Sequence, residues 1–102
     1  MRYLLLLYGD PEAEAALSPE ERRAIVDAHL ELGRELGERG VLVQAQALGE
    51  RLATDGPFAE TKEQLGSFYV VDCESDDEAL SVAARLPASP GLRVEVLPIA
   101  GP

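Results

Sequence analysis

The order in which strand-like and helix-like patterns follow one another limits the folds open to this chain more than any other feature. Strand patterns cover Met1–Tyr8, Val41–Leu48, Ser67–Asp72 and Arg93–Ile99, and a helix pattern separates the first two and the last two of them. The chain therefore repeats strand–helix–strand twice, which is the βαββαβ order of the ferredoxin-like plan. We expect an α+β fold in which two helices cover one face of a four-stranded antiparallel sheet.

Both predicted helices begin at a recognisable signal. Ser18-Pro19-Glu20-Glu21 offers a capping serine, a proline at the first helical position and a glutamate that can complete a capping box. Ser75-Asp76-Asp77-Glu78 offers a second box of the same kind. Gly40 is the expected C-cap of the first helix, and Pro98 predicts an edge position for the last strand.

Composition excludes several classes of function. The 102 residues suit one domain, residues 1–102, and the formal net charge of −10 opposes binding to nucleic acid or to an anionic membrane. One cysteine and one histidine cannot form a Cys/His zinc site, and no metal or organic cofactor motif is visible. No apolar run approaches the length of a membrane span or forms a signal peptide, so we expect a cytoplasmic protein.

A distinctive stretch lies in the long connection between the second and third strands, residues 49–64. Asp55-Gly56-Pro57-Phe58 is a turn signal that ends in an aromatic ring, and a dense polar segment follows it as far as Leu65-Gly66. This stretch resembles, residue for residue, the signature of the DGPF branch of the YCII-related (YciI-like) family. The resemblance covers nearly the whole chain, although residues 48–54 replace a longer excursion that relatives usually carry before the signature.

The resemblance implies the dimeric α/β-barrel variety of this fold, in which two sheets pack face to face. A separate argument points the same way. Leu4 to Leu7 are apolar on both parities, so the sheet face opposite the helices carries apolar residues whichever parity faces outward. Because isologous pairing is the commonest way to cover such a patch, we expect a homodimer.

His29 is the leading candidate for chemistry. It is the only histidine, it lies on the apolar stripe of the first helix, and histidine is the side chain best suited to proton transfer near neutral pH. The stripe predicts that His29 faces the sheet. The alternative is a partly buried histidine that one hydrogen bond satisfies.

The resemblance at Ala28-His29-Leu30 implies that His29 is half of a catalytic His–Asp pair. In YciI-like relatives the aspartate follows the second helix, where this chain reads Arg85-Leu86-Pro87. The DGPF branch offers Asp55 as a substitute in a different loop. The competing interpretation is that Asp55 hydrogen-bonds the backbone of its own turn, which is common for an aspartate before Gly-Pro.

Two residues of the same connection are candidates for ligand binding. Phe58 can line a pocket, or it can anchor the loop in the core. Lys62 is the only lysine and can hold a ligand carboxylate, or it belongs to a solvated turn. Cys73 stands between Asp72 and Glu74, whose charges raise the pKa of a thiol, so we do not expect it to be a nucleophile.

Three functional hypotheses follow. The first, by analogy with the superfamily, is a cofactor-independent enzyme of lyase or isomerase type that acts on a small cyclic or aromatic molecule through proton transfer by His29 and Asp55. The second is a non-catalytic ligand-binding or regulatory dimer, since DGPF relatives occur beside or joined to extracytoplasmic-function sigma factors. The third is a dimer whose site has decayed, which fits the missing aspartate and the shortened loop.

Overall fold

The computed structural model describes residues 1–53 and 63–101. Its strands and helices are β1 (Arg2–Gly9), α1 (Pro11–Ala15), α2 (Pro19–Glu38), β2 (Leu42–Ala47), β3 (Gln64–Asp72), α3 (Asp76–Ala83) and β4 (Arg93–Pro98). The strands form one antiparallel sheet in the order β2-β3-β1-β4, with the helices on one side, which confirms the predicted α+β, ferredoxin-like fold. Within the described ranges, no helix combines the length and the apolar character needed to cross a membrane.

Helix α2 begins and ends where the sequence predicts. Ser18 Oγ accepts the N–H of Glu21, and Glu21 Oε1 accepts the N–H of Ser18, both at 3.0 Å. Gly40 follows the helix with a φ of 71°, a left-handed conformation that glycine adopts without steric cost. Helix α3 begins with the serine part of a capping box, in which Ser75 Oγ accepts the N–H of Glu78 at 3.1 Å.

The short helix α1 is not among the elements that the sequence predicts. Asp10 Oδ1 accepts the N–H of Glu12 at 3.0 Å, and Pro11 occupies the first helical position. Asp10-Pro11 therefore starts a helix in the same way as Ser18-Pro19 does. The pair ends β1, as expected, but it also turns the chain directly into a helical turn.

Strand β2 carries a bulge that changes which of its residues face the helices. Leu42 pairs with Val71 whereas Gln44 pairs with Val70, so Val43 is the extra residue. Leu42 consequently packs against the core on the helix side, and Gln44 lies on the opposite face. Strict alternation along β2 would place Leu42 and Gln44 on the same face, but the inserted residue reverses the parity.

The hydrophobic core lies between the sheet and the helices. Its buried members are Tyr3, Leu5, Leu7, Leu32, Leu36, Val41, Tyr69, Val71, Cys73, Ala79, Val82 and Leu86. Helix α3 buries Ala79 and Val82, whereas Leu80 is 55% exposed.

The two central strands are also apolar on the other face of the sheet. Alternate residues of β1 and β3 form it and are half-buried by one another: Leu4, Leu6, Tyr8, Phe68 and Val70. Pro98 ends β4, which pairs with β1 alone at one edge of the described sheet, as the proline predicts.

Candidate functional site

A cavity of about 580 Å³ lies between the sheet and residues 22–33 of α2. Ile25, Val26 and Leu30 of α2 line it, and Leu17, which follows α1, and Leu92, which precedes β4, contribute further apolar wall. A volume of this size with mainly apolar walls is suited to a small organic molecule.

Small residues on the strands contribute to this cavity. Those that line it are Gly9, Ala45, Ala47, Gly66 and Ser67, beside larger strand residues such as Leu7, Leu42 and Tyr69. Ala47 and Ser67 are direct partners across β2 and β3, so these small side chains lie next to one another in the sheet. The residues that α2 buries, Leu32 and Leu36, lie in its C-terminal half. The part of α2 before them, residues 22–30, therefore stands above a region of the sheet where several side chains are small.

Two polar side chains meet inside the cavity. His29 projects from α2 and Tyr69 from β3, and Nδ1 of the histidine lies 2.6 Å from the hydroxyl oxygen of the tyrosine. Tyr69 is 3% exposed, and His29 is half-buried. His29 thus faces the sheet. Among the described residues, its hydrogen-bond partner there is the phenol of Tyr69.

Burial sets the charge state of this pair. It lowers the pKa of the His29 imidazole and raises the pKa of the Tyr69 phenol, so both groups are uncharged at neutral pH. A tyrosine hydroxyl can donate to Nδ1 in one tautomer of the imidazole or accept from Nδ1–H in the other. In both cases Tyr69 occupies Nδ1, and Nε2 is the ring nitrogen left for a molecule in the cavity.

A second polar group lies further along α2. Arg22 lines the cavity seven residues before His29, and its Nη2 donates to the backbone oxygen of Glu14 at 3.4 Å. The carboxylate of Glu14 lies against Gly9, where a Cβ would stand 2.2 Å from Glu14 Oε1, so a larger residue at position 9 would displace the Glu14 side chain. The cavity therefore has apolar walls and two separated polar positions.

Of the residues that the sequence assigns to the site, His29 lies in the described part of the chain. Asp55, Phe58 and Lys62 lie outside the described residues, so the His29–Asp55 pair stays a prediction. Within residues 1–53 and 63–101, no group of three or more His, Cys, Asp or Glu side chains is arranged to hold a metal ion.

Sequence reasoning did not assign Tyr69 or Arg22 to the site. Alternation predicts that Tyr69 packs in the sheet, but it does not show which helix residue lies above the ring. The position of Arg22 beside His29 could have been predicted from their spacing. The two are seven residues apart, and residues at this spacing return to the same face of an α-helix after about two turns.

Comparison with known proteins supports the family that the sequence suggests. Residues 1–100 match the sequence model of the YCII-related domain. An uncharacterized protein of Rhizobium meliloti (strain 1021) is 41% identical to this chain over 100 residues, a region that covers 84% of this chain and 80% of the relative. The chain belongs to the YCII-related family.

Proposed function

We propose that this protein binds a small, largely apolar cyclic or aromatic molecule in the cavity beneath α2, and that His29 exchanges a proton with it. The observation that carries the proposal is the hydrogen bond between His29 and Tyr69 inside an apolar cavity. Apolar walls bind a ring by burial, while a few polar groups fix its orientation. A histidine held at Nδ1 has a fixed ring orientation, which general acid–base catalysis requires of Nε2.

The uncharged state of the pair indicates the direction of the first step. Nε2 of His29 accepts a proton from a C–H or O–H group of the ligand, and Nδ1–H of the resulting imidazolium donates to the Tyr69 oxygen. Return of that proton to a different ligand atom is an isomerisation, and its delivery to a leaving group is an elimination. The proposed activity is therefore of lyase or isomerase type and uses no cofactor.

The proposal retains the three residues that the sequence alone assigns. Asp55 is the carboxylate that would stabilise the imidazolium of His29, while Phe58 and Lys62 would contact the ligand. Asp55→Asn tests the first role. Loss of a nearby carboxylate lowers the pKa of His29, so the pH profile of proton exchange should move to lower pH. An unchanged profile would restrict Asp55 to its own turn.

Binding can be measured by an NMR titration with four neutral probes: phenol, 4-ethylphenol, cyclohexanone and 2-indanone. We expect at least one probe to shift the backbone amide signals of Leu30, Gly33 and Ser67, together with the ring nitrogen signals of His29, and to leave those of α3 unchanged. Shifts confined to residues outside the cavity, or no shifts with any probe, would contradict the proposal.

A pair of tyrosine variants distinguishes the loss of the Tyr69–His29 hydrogen bond from a general loss of stability. Tyr69→Phe removes the hydroxyl that holds His29 and should weaken probe binding. Tyr3→Phe is the matched control, because the Tyr3 hydroxyl donates to Asp76 Oδ1 at 2.5 Å and Tyr3 does not line the cavity. Equal weakening by the two variants would argue against a specific role for the Tyr69 hydroxyl.

Proton transfer can be measured separately from binding. 2-Indanone is a carbon acid, and removal of its α-proton followed by deuteration in D₂O lowers its α-proton NMR signal. We expect the wild-type protein to accelerate this exchange and His29→Gln to abolish the acceleration. Bound 2-indanone that exchanges no faster than in buffer would overturn the catalytic part of the proposal and leave a binding protein.

We also propose that two copies of the chain pair through the helix-free face of the sheet. Leu6 lies on β1 within that face and has Phe68 and Glu95 as its neighbours on the adjacent strands. Sedimentation should give a dimer for the wild type and a monomer for Leu6→Glu, because a buried unpaired charge opposes the contact. Leu80→Glu, at an exposed position of α3, should stay dimeric. A wild-type mass equal to one chain at micromolar concentration would contradict pairing.

Two further assignments belong to the proposal. Residues 55–58 carry the Asp-Gly-Pro-Phe signature, and on these residues we assign the chain to the DGPF branch. The lone thiol of Cys73, which is 2% exposed, fits a reducing compartment, and we propose a cytoplasmic location. Recovery with periplasmic or secreted markers after cell fractionation would contradict that location.

A further inference from the structure

Arg22 and His29 lie on one stripe of α2. Seven residues make about two helical turns, so the two side chains share a face and their Cα atoms are about 10 Å apart along the axis. Ile25 and Val26 lie between them and line the same cavity. Along this stripe the cavity therefore meets a positive charge, an apolar middle and an imidazole.

The guanidinium of Arg22 has a different environment from those that form salt bridges. Three arginines bind carboxylates within the described residues: Arg34, Arg85 and Arg93. Arg22 instead donates one long hydrogen bond, of 3.4 Å, to the backbone oxygen of Glu14. A guanidinium has five N–H donors in a planar fork, so further donors are available for a two-point contact with a carboxylate.

We propose that Arg22 is a specificity-determining residue of the cavity and that the ligand is an apolar acid. Its carboxylate binds Arg22, its ring lies against Ile25 and Val26, and a second polar atom meets His29. This inference rests on the proposed function, to which it adds the charge and the length of the ligand. The carboxylate and the second polar atom are separated by about 10 Å or less, since the helix fixes the spacing of their partners.

Glu14 offers an independent test of the negative charge that we propose for the ligand. It is the acidic side chain among the described residues that line the cavity, and its carboxylate opposes a bound anion. Glu14→Gln should therefore strengthen binding of an acid more than binding of the matching neutral amide. This response tests whether the anion lies near Glu14, and the role of Arg22 is tested by its own variant.

The experiment compares 3-(4-hydroxyphenyl)propanoate with 3-(4-hydroxyphenyl)propanamide by isothermal titration calorimetry at neutral pH and low salt. Charge-assisted hydrogen bonds predict that the wild type prefers the acid by about tenfold or more. Arg22→Gln should remove this preference, because it weakens binding of the acid far more than binding of the amide. Arg23→Gln is the matched control, because Arg23 is the neighbouring arginine and does not line the cavity; it should keep the preference.

Each outcome separates this inference from the proposed function. Equal wild-type affinities for the acid and the amide, or a preference that survives Arg22→Gln, would overturn the role of Arg22 and leave the cavity as a site for neutral molecules. If neither compound binds while a neutral probe such as 4-ethylphenol does, the inference fails alone. If no neutral probe binds either, the proposed function fails with it.

Discussion

The helix layer above the sheet has two halves that differ in how they are packed. In the filled half, α3 and the C-terminal half of α2 contact the sheet, and Leu36, Ala79 and Val71 are completely buried. In the open half, residues 22–30 of α2 stand over the cavity, where Val26 is 49% exposed and Leu30 is 66% exposed. One sheet face and one helix take part in both halves.

Side-chain size on the strands accounts for this difference. Tyr3, Leu5 and Val71 support the filled half, whereas the strand residues under the open half include Ala47 and Ser67. Protein interiors leave few voids larger than a water molecule, so a ligand-sized space is unusual for a core. Small residues at adjacent positions of two strands therefore hold open a space that the same fold fills elsewhere.

The largest expected effect comes from truncating a leucine of α2 in the filled half and another in the open half of the helix layer. Leu36→Ala should lower the free energy of unfolding by about 2–5 kcal/mol, because it leaves a cavity in the filled half. Leu30→Ala should lower it by about 0.5 kcal/mol or less, since the side chain is mostly exposed. Denaturant unfolding measures both values. Similar losses would show that the two halves are packed alike.

Enlarging an alanine should also cost more stability in the filled half than in the open half. Ala79→Leu adds atoms to the filled half, where Ala79 is completely buried, and should cost about 1–3 kcal/mol of unfolding free energy. Ala45→Leu adds the same atoms to the open half, where the cavity has room for them, and should change stability by about 0.5 kcal/mol or less. A comparable loss for Ala45→Leu would mean that the space is not accessible to a side chain.

In the filled half, Cys73 predicts a loss of stability in alkaline solution. Burial and the neighbouring Glu78 raise the pKa of its thiol from 9.0 to about 11. The unfolded chain releases this proton above about pH 9 while the folded protein keeps it, so the free energy of unfolding falls as pH rises from 9 towards 11. Cys73→Ala should flatten the curve between pH 9 and 10. An unchanged slope would contradict this origin.

In the open half, His29 predicts a smaller loss of stability in mild acid. Burial lowers its pKa, so below about pH 6.5 the unfolded chain binds a proton that the folded protein does not. The free energy of unfolding therefore falls as pH decreases from 7, until the folded pKa is passed. His29 is the only histidine, and His29→Gln should flatten the curve between pH 7 and 5. Parallel curves for the two proteins would exclude His29 as the cause.

The sequence was sufficient for the order of the elements, because their boundaries depend on local signals. The capping box at Ser18, the left-handed Gly40 and the edge position of Pro98 each follow from the chemistry of one or a few neighbouring residues. Asp10-Pro11 is the same kind of helix-start signal as Ser18-Pro19. Because aspartate and proline after a strand often form a turn, the signal did not predict α1. The bulge at Val43 has no local signal comparable with these.

The site depends on packing, which local patterns do not encode. Periodicity placed His29 on the inner face of α2, and it also predicted Tyr69 in the sheet. Their contact requires the register that places Ala45 beside Tyr69, together with the height of α2 above small residues. The open half could be inferred from the sequence only if the register, including the bulge at Val43, were known first.

The central claim, that the open half is a ligand site, is tested most directly by titrating Ala45→Leu beside the wild type with the four neutral probes. The substitution occupies the part of the cavity next to Tyr69 and leaves His29 in place. The account predicts that a probe that shifts the amide signals of the cavity residues in the wild type loses its affinity for Ala45→Leu, while the unfolding free energy is retained. Equal affinity in the two proteins, or no binding to the wild type, would contradict it.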